Sequence, residues 1–242
     1  MNWLLETPIA HRGLHSSEIP ENSLAAFEAA CKAGFGIELD VHMSNDHEIV
    51  VFHDYKTARL TGVDMSVAST SRAELQTLKL AGTEQHIPTL SEVLNLVDGR
   101  VPVLVELKSP GRSDGTFEAK VYELLEGYSG EFTVQSFDPN LVAWFAKNAP
   151  SFIRGQLSCA YKGEGWMPVL RRFILSNLLI NWRSRPHYIG YDINDMPRLS
   201  VRIARAIGLP IVAWTVVNSE QHKVAQRYAD NIIFEHIDPS NP

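Results

Sequence analysis

Short, nearly unbroken apolar runs alternate along this chain with longer stretches whose apolar residues fall three or four apart. The first pattern marks buried strands and the second amphipathic helices. Strands are predicted to start at Ile9, Ile37, Val101, Phe132, Ile153, Tyr188, Ile211 and Asn231. Between them fall helices: one opening after Asn22 as N-cap and closing at Gly34, then Phe117–Leu125, Pro139–Lys147, Trp166–Leu179, Arg198–Ile207 and Ser219–Tyr228. Apolar strands alternating with helices predict a parallel sheet covered by helices, and eight such units favour a closed (β/α)8 TIM barrel. Glu48–Phe52 reads as an inserted hairpin partner; counted as a barrel strand instead, it would make nine. From Tyr55 to Glu92 the rhythm breaks into an Arg59-Leu60-Thr61-Gly62 turn, a short helix near Ala73–Lys79 and Pro88-Thr89-Leu90 leading to a helix ending near Val97. The expectation is one domain over 1–242 with an elaborated insertion at about 44–92.

The stretch Gly36–Asp54 holds polar residues where an apolar strand should not. Side chains alternate along a strand, so Glu38, Asp40 and His42 share one face and Ile37, Leu39 and Val41 the other. Two acids on one buried face require a cation, a proton or a substrate. A tight turn between Asn45 and Asp46 would fold the next run back and set His53 beside Glu38, although a one-residue slip reverses the faces.

Composition narrows the choice little: 45% hydrophobic and 21% charged residues suit a globular protein with a sizeable core. The net charge of −6, with no basic tract, argues against general binding to nucleic acid or anionic membranes, while leaving room for local positive charge. Cys31 and Cys159 have no metal or disulfide spacing and read as small buried hydrophobes. The N-terminus lacks a signal peptide's features, and the longest apolar stretch, Phe173–Ile180, is broken by Ser176 and Asn177 and too short to span a bilayer. The expectation is a soluble cytoplasmic protein with no stable membrane insertion; a homo-oligomer is left open.

Functional side chains of such barrels sit at the carboxyl ends of the strands. There stand His11 and Arg12, Glu38 and Asp40, His53, Glu106 and Lys108, and Trp214. Three carboxylates from two strands suit a hard divalent cation, Mg2+ or Ca2+ in preference to Zn2+. Arg12 and Lys108 beside a metal site point to a bound anion. Two imidazoles exchange protons near neutral pH. Together these suit displacement at phosphorus. Each element has a duller reading: a satisfied turn histidine at 11, a structural ion network among Glu38, Asp40, Arg12 and Lys108, a surface strand end at Glu106–Lys108, a core Trp214. His42 either borders the site or stands behind it. His15, His47, His86, His187, His222 and His236 read as loop or surface residues.

His11-Arg12-Gly13, Pro20-Glu21-Asn22-Ser23, Glu38-Leu39-Asp40-Val41, Val51-Phe52-His53-Asp54, Arg59-Leu60-Thr61-Gly62, Ile87-Pro88-Thr89-Leu90 and Glu106-Leu107-Lys108 together resemble the ordered motifs of the glycerophosphodiester phosphodiesterases. Past Lys108 the resemblance thins to Ser136-Phe137 and Trp214-Thr215-Val216. It implies a barrel with a small insertion, a divalent-metal site at Glu38, Asp40 and Glu106, His11 and His53 as acid/base pair, and Arg12 and Lys108 as phosphate contacts, with Trp214 a further candidate for substrate. The implied reaction hydrolyses deacylated phospholipids to glycerol 3-phosphate and an alcohol, with attack by the glycerol 2-hydroxyl as one route. Val217 intervenes before Asn218, Phe234-Glu235 replaces the family's Thr-Asp, and residues 150–197 match no family motif. The alternatives are a lysophospholipase D or sphingolipid-type phosphodiesterase and, in another class, a barrel that binds phosphate ligands without turnover. The sequence shows no membrane-facing apolar rim.

Overall fold

The strand–helix rhythm survives folding almost element for element. The computed structural model describes residues 2–109, 111, 113–163 and 165–240. Its strands are β1 (Ile9–Ala10), β2 (Gly36–Met43), β3 (Ile49–Val51), β4 (Val103–Leu107), β5 (Phe132–Ser136), β6 (Arg154–Ser158), β7 (Tyr188–Asp192), β8 (Ile211–Val216) and β9 (Asn231–Phe234). A helix separates each consecutive pair of the parallel strands, and β3 is an antiparallel addition to β2. The fold is a (β/α)8 barrel. Its contacts gather into two units, Ala10–Thr133 and Met1–Ile9 with Val134–Pro242.

In the unit 10–133, β2 runs parallel to β4 with Asp40 beside Glu106 and Glu38 beside Leu104. Paired residues of parallel strands share a face, so this register brings acids from two strands together. The hairpin to β3 departs from the predicted pairing by one residue, with Val41 opposite Val51 and His42 opposite Val50. The connection is a three-residue loop, Asn45 to His47, in which His47 takes a left-handed φ of 63° and Ser44 N–H donates to Glu48 O at 2.9 Å. A left-handed last residue is the usual geometry of such a loop. His53 therefore does not pair with Glu38: Phe52 N–H makes a last bond to Asp40 O at 2.9 Å, and His53 lies beyond the end of β3.

The insertion has a core of its own, in which Val50, Phe52, Val67, Leu75 and Leu80 are fully buried. Burying side chains of this size contributes about 1.5–3 kcal/mol each, which anchors the loop carrying His53. The helix Leu90–Val97 starts at a capping box: Thr89 Oγ1 accepts from Glu92 N–H at 3.2 Å while Thr89 N–H donates to Glu92 Oε2 at 2.7 Å.

In the other unit, β6, β7, β8 and β9 pair in parallel succession. Gly155 on β6 is required by packing, since a Cβ there would lie 2.2 Å from the ring of Tyr188. That ring is fully buried and its hydroxyl donates to Gln135 Oε1 at 3.0 Å. Asn231 Nδ2 donates to Leu4 O at 2.8 Å and Thr7 O at 2.7 Å, fastening the N-terminal turn to β9. The helix predicted over 166–179 is shorter, Val169–Ser176, followed by a left-handed Leu178 and a further turn at Asn181–Ser184. His222 is buried on the helix Ser219–Tyr228, not on the surface as expected, and both cysteines are half-buried. Among the described residues no helix is long and apolar enough to cross a membrane.

Candidate active site

The site grows out of one sharp turn. After β1 the chain passes through Arg12 and Gly13 at φ 55° and 80°. A Cβ on Gly13 would sit 2.9 Å from Ala26 and Phe27, so only glycine lets the turn lie against the helix Leu24–Ala33. The turn aims Arg12 N–H at Glu38 Oε2, 3.0 Å away. The guanidinium meets Glu21 Oε1 at 2.7 Å and lies 3.5 Å from Asp40 Oδ2. His11, half-buried, precedes Arg12 directly and so stands at the same strand end.

Asn22 is not the N-cap that its position suggests. Ser23 caps the helix, its side chain accepting from Ala26 N–H. Asn22 takes a left-handed φ of 53°, is 1% exposed, and donates from Nδ2 to Asp40 Oδ2 at 2.8 Å. The capping role shifted by one residue leaves Asn22 to brace an acid of the site.

The three acids converge as the strand parity requires. One oxygen from each of Glu38, Asp40 and Glu106 lies within 4.8 Å of the other two, and all three side chains are buried. Lys108 Nζ bridges Asp40 Oδ1 at 2.8 Å and Glu106 Oε1 at 2.5 Å. Glu38 Oε1 is buried with no hydrogen-bond partner. Burial alone would push Asp40 up, but Lys108, His53 and Arg12 overcome it and hold the carboxyl below the usual range. Glu38 moves the other way: burial, then the charges of Asp40 and Glu106, push it well above. Burial raises Glu106 too, against Lys108. Burial opposes the Lys108 ammonium, yet Asp40 and Glu106 raise it. An orphaned buried oxygen, a carboxyl forced up by burial and by its acidic neighbours, and an all-oxygen donor set fit a hard divalent cation.

His53 Nδ1 and Asp54 Oδ1 are 2.7 Å apart. Arg59 Nε donates to Asp54 Oδ2 at 2.6 Å, and its terminal nitrogens reach Glu21 at 2.6 and 3.0 Å. Glu21 in turn holds Arg12. The result is a chain of alternating charge, His53–Asp54–Arg59–Glu21–Arg12–Asp40. Burial lowers His53, with Asp40 raising it, Lys108 and Arg12 lowering it, and Asp54 raising it. His42 stands behind: its Nε2 lies 3.2 Å from His53 O, its ring is edge-on to Tyr55 at 5.2 Å, and burial lowers it to about 4. It braces the backbone that carries His53.

The structure thus brings Arg12, Glu38, Asp40, His53, Glu106 and Lys108 together, with His11 next along the chain. Trp214 belongs to the other unit, on β8, where it packs edge-on against Phe137 at 5.3 Å. Its indole Nε1 is buried without an acceptor. Asn218 caps the helix Ser219–Tyr228 by accepting from Gln221 N–H, a structural role that agrees with the displaced motif. Sequence reasoning assigned no site role to Asn22, Glu21, Asp54 and Arg59; their signal lay in the motifs Pro20-Glu21-Asn22-Ser23, Val51-Phe52-His53-Asp54 and Arg59-Leu60-Thr61-Gly62 that contain them.

A barrel with acids, cations and imidazoles gathered at the strand ends has the build of a phosphate-ester hydrolase. The model of the glycerophosphoryl diester phosphodiesterase family matches residues 11–239, and the chain belongs to that family, a phosphoric diester hydrolase. It is 32% identical over 238 residues to the glycerophosphodiester phosphodiesterase of Caldanaerobacter subterraneus subsp. tengcongensis, covering 93% of this chain and 92% of that one. It is 31% identical over 189 residues to the lysophospholipase D GDPD1 of Rattus norvegicus, covering 73% of this chain and 54% of the relative. Among solved structures, an Oleispira antarctica phosphodiesterase in complex with the product sn-glycerol-3-phosphate superposes with a TM-score of 0.81 at 24% identity, over 95% of this chain and 92% of that one. That likeness carries the fold.

Proposed function

We propose that the protein hydrolyses glycerophosphodiesters, deacylated phospholipids, to glycerol 3-phosphate and an alcohol, with Mg2+ or Ca2+ held by Glu38, Asp40 and Glu106. The observation that carries this reading is the convergence of those carboxylates within 4.8 Å, with Glu38 Oε1 unpartnered. When bound, the cation supplies Lewis-acid polarisation of a phosphoryl oxygen. Arg12 and Lys108 offset the diester's negative charge and orient it. With Nδ1 turned to Asp54, His53 exchanges its proton through Nε2. His11 is the second proton carrier: one imidazole takes the proton of the attacking hydroxyl and the other protonates the departing alcohol oxygen. Attack by water gives glycerol 3-phosphate directly, whereas attack by the glycerol 2-hydroxyl gives a cyclic phosphate that water then opens. Trp214 is assigned to substrate, its buried indole N–H having no acceptor of its own. Release of choline from glycerophosphocholine, or of ethanolamine from glycerophosphoethanolamine, measured with and without chelator, tests the proposal. Activity that chelator abolishes and divalent cation restores is expected; chelator-insensitive or absent activity refutes it. A second reading, lysophospholipase D action, draws support from the name of the rat relative and from an exposed apolar segment after β6.

A further inference from the structure

The segment between β6 and β7 is apolar where a protein facing only water would be polar. The helix Val169–Ser176 buries Leu175 in a cluster with Tyr161 and Met167, so its other face should be charged. Instead Trp166, Val169, Leu170 and Phe173, spaced as i, i+3, i+4 and i+7, are 73%, 73%, 69% and 56% exposed, and Trp182 is 77% exposed. From Gly165 to Tyr191 the sequence holds Arg171, Arg172, Arg183 and Arg185 and no acidic residue, within a chain of net charge −6. Among the described residues none of these arginines pairs with a carboxylate, and Arg171, Arg183 and Arg185 are exposed.

We propose that this segment docks the protein on an anionic lipid surface, with Trp166, Phe173 and Trp182 entering the headgroup boundary and the arginines meeting lipid phosphates. Exposed tryptophans and unpaired cations flanking a short helix with an exposed apolar face are the composition of an interfacial element. A second copy of the chain fits less well, since a two-fold interface would set the arginine row against itself with no acid to receive it. The expectation from net charge averaged a cationic segment into an acidic chain. The apolar rim escaped notice because both faces of this helix are apolar, which reads as burial. The segment leaves the carboxyl end of β6, and docking does not depend on which diester is cleaved.

Flotation of the full chain with phosphatidylcholine vesicles, with and without phosphatidylglycerol, tests this without any turnover. Binding to the phosphatidylglycerol vesicles is expected, weakened by salt. Arg183→Gln with Arg185→Gln should cut partitioning roughly fivefold per charge removed, and Phe173→Ser with Trp182→Ser should abolish it. Circular dichroism and the thermal midpoint should stay unchanged in all of them. Equal binding to neutral and anionic vesicles, no binding, or binding that survives the Phe173→Ser/Trp182→Ser pair would each overturn the proposal. So would a dimer in solution that these substitutions dissociate.

Discussion

Replacing Glu38 by glutamine tests the logic of the acid cluster, because its sign reverses with the cation. Without metal, unit charges no more than 4.8 Å apart repel by roughly 3 kcal/mol or more at an effective dielectric constant near 20. Burial first, then the charges of Asp40 and Glu106, raise Glu38 well above the usual carboxyl range, so taking up a proton there relieves part of this repulsion. Glutamine removes the charge, keeps an oxygen for Arg12 N–H, and places an amide donor where Oε1 now has no partner. In chelator, Glu38→Gln should therefore unfold at a higher temperature than wild type, by roughly 1–3 kcal/mol, or about 2–8 °C for a chain of this size. With cation at a thousand times its dissociation constant, wild type should gain about 4.1 kcal/mol and the variant almost nothing, so the order inverts. The pH dependence follows the same sign. A carboxyl raised in the native state binds more protons there than when unfolded, so metal-free wild type loses stability as pH climbs from the ordinary glutamate value through the raised one. The variant lacks that component. Differential scanning calorimetry over pH, with chelator and with Mg2+ or Ca2+, reads all of this. A Glu38→Gln protein less stable than wild type in chelator, alongside a wild type indifferent to cations, would refute the reasoning.

Other consequences are open to the same enzyme preparation. His11→Ala and His53→Ala should each lower turnover about 10²–10⁴-fold; near-unchanged turnover would contradict their roles. Asp54→Asn removes the carboxylate that raises His53, so the acid limb of kcat/KM should move to lower pH, with activity falling roughly 10–100-fold by analogy with other second-layer partners. Arg59→Met, which frees Asp54 and Glu21 together, should shift that limb less and lower kcat more than it raises KM. Gly13→Ala should destabilise by about 1–3 kcal/mol in denaturant titration, from a left-handed φ and Cβ contacts at 2.9 Å.

What could be read from the sequence divides along a physical line. The barrel strands were legible because each is a local apolar run, and the acid cluster because strand parity fixes which residues share a face: Glu38 and Asp40 on β2, Glu106 on β4. The hairpin register was not, because its left-handed residue is His47, with no glycine to mark the three-residue loop. Asn22 was hidden by its fitness as a helix cap, a role the next residue, Ser23, takes instead. Glu21 and Arg59 meet only after the insertion folds over the turn at Gly13, a long-range pairing with no trace in local spacing. The helix Val169–Ser176 misled differently, since an apolar pattern does not say whether core or solvent lies on the far side.

Diffraction from crystals soaked in Mn2+, with the anomalous signal located, tests the central claim most directly. One strong peak is expected within about 2.0–2.6 Å of an oxygen from each of Glu38, Asp40 and Glu106, lost in Asp40→Asn. A fully active, metal-loaded enzyme whose peak lies away from these three side chains would contradict it.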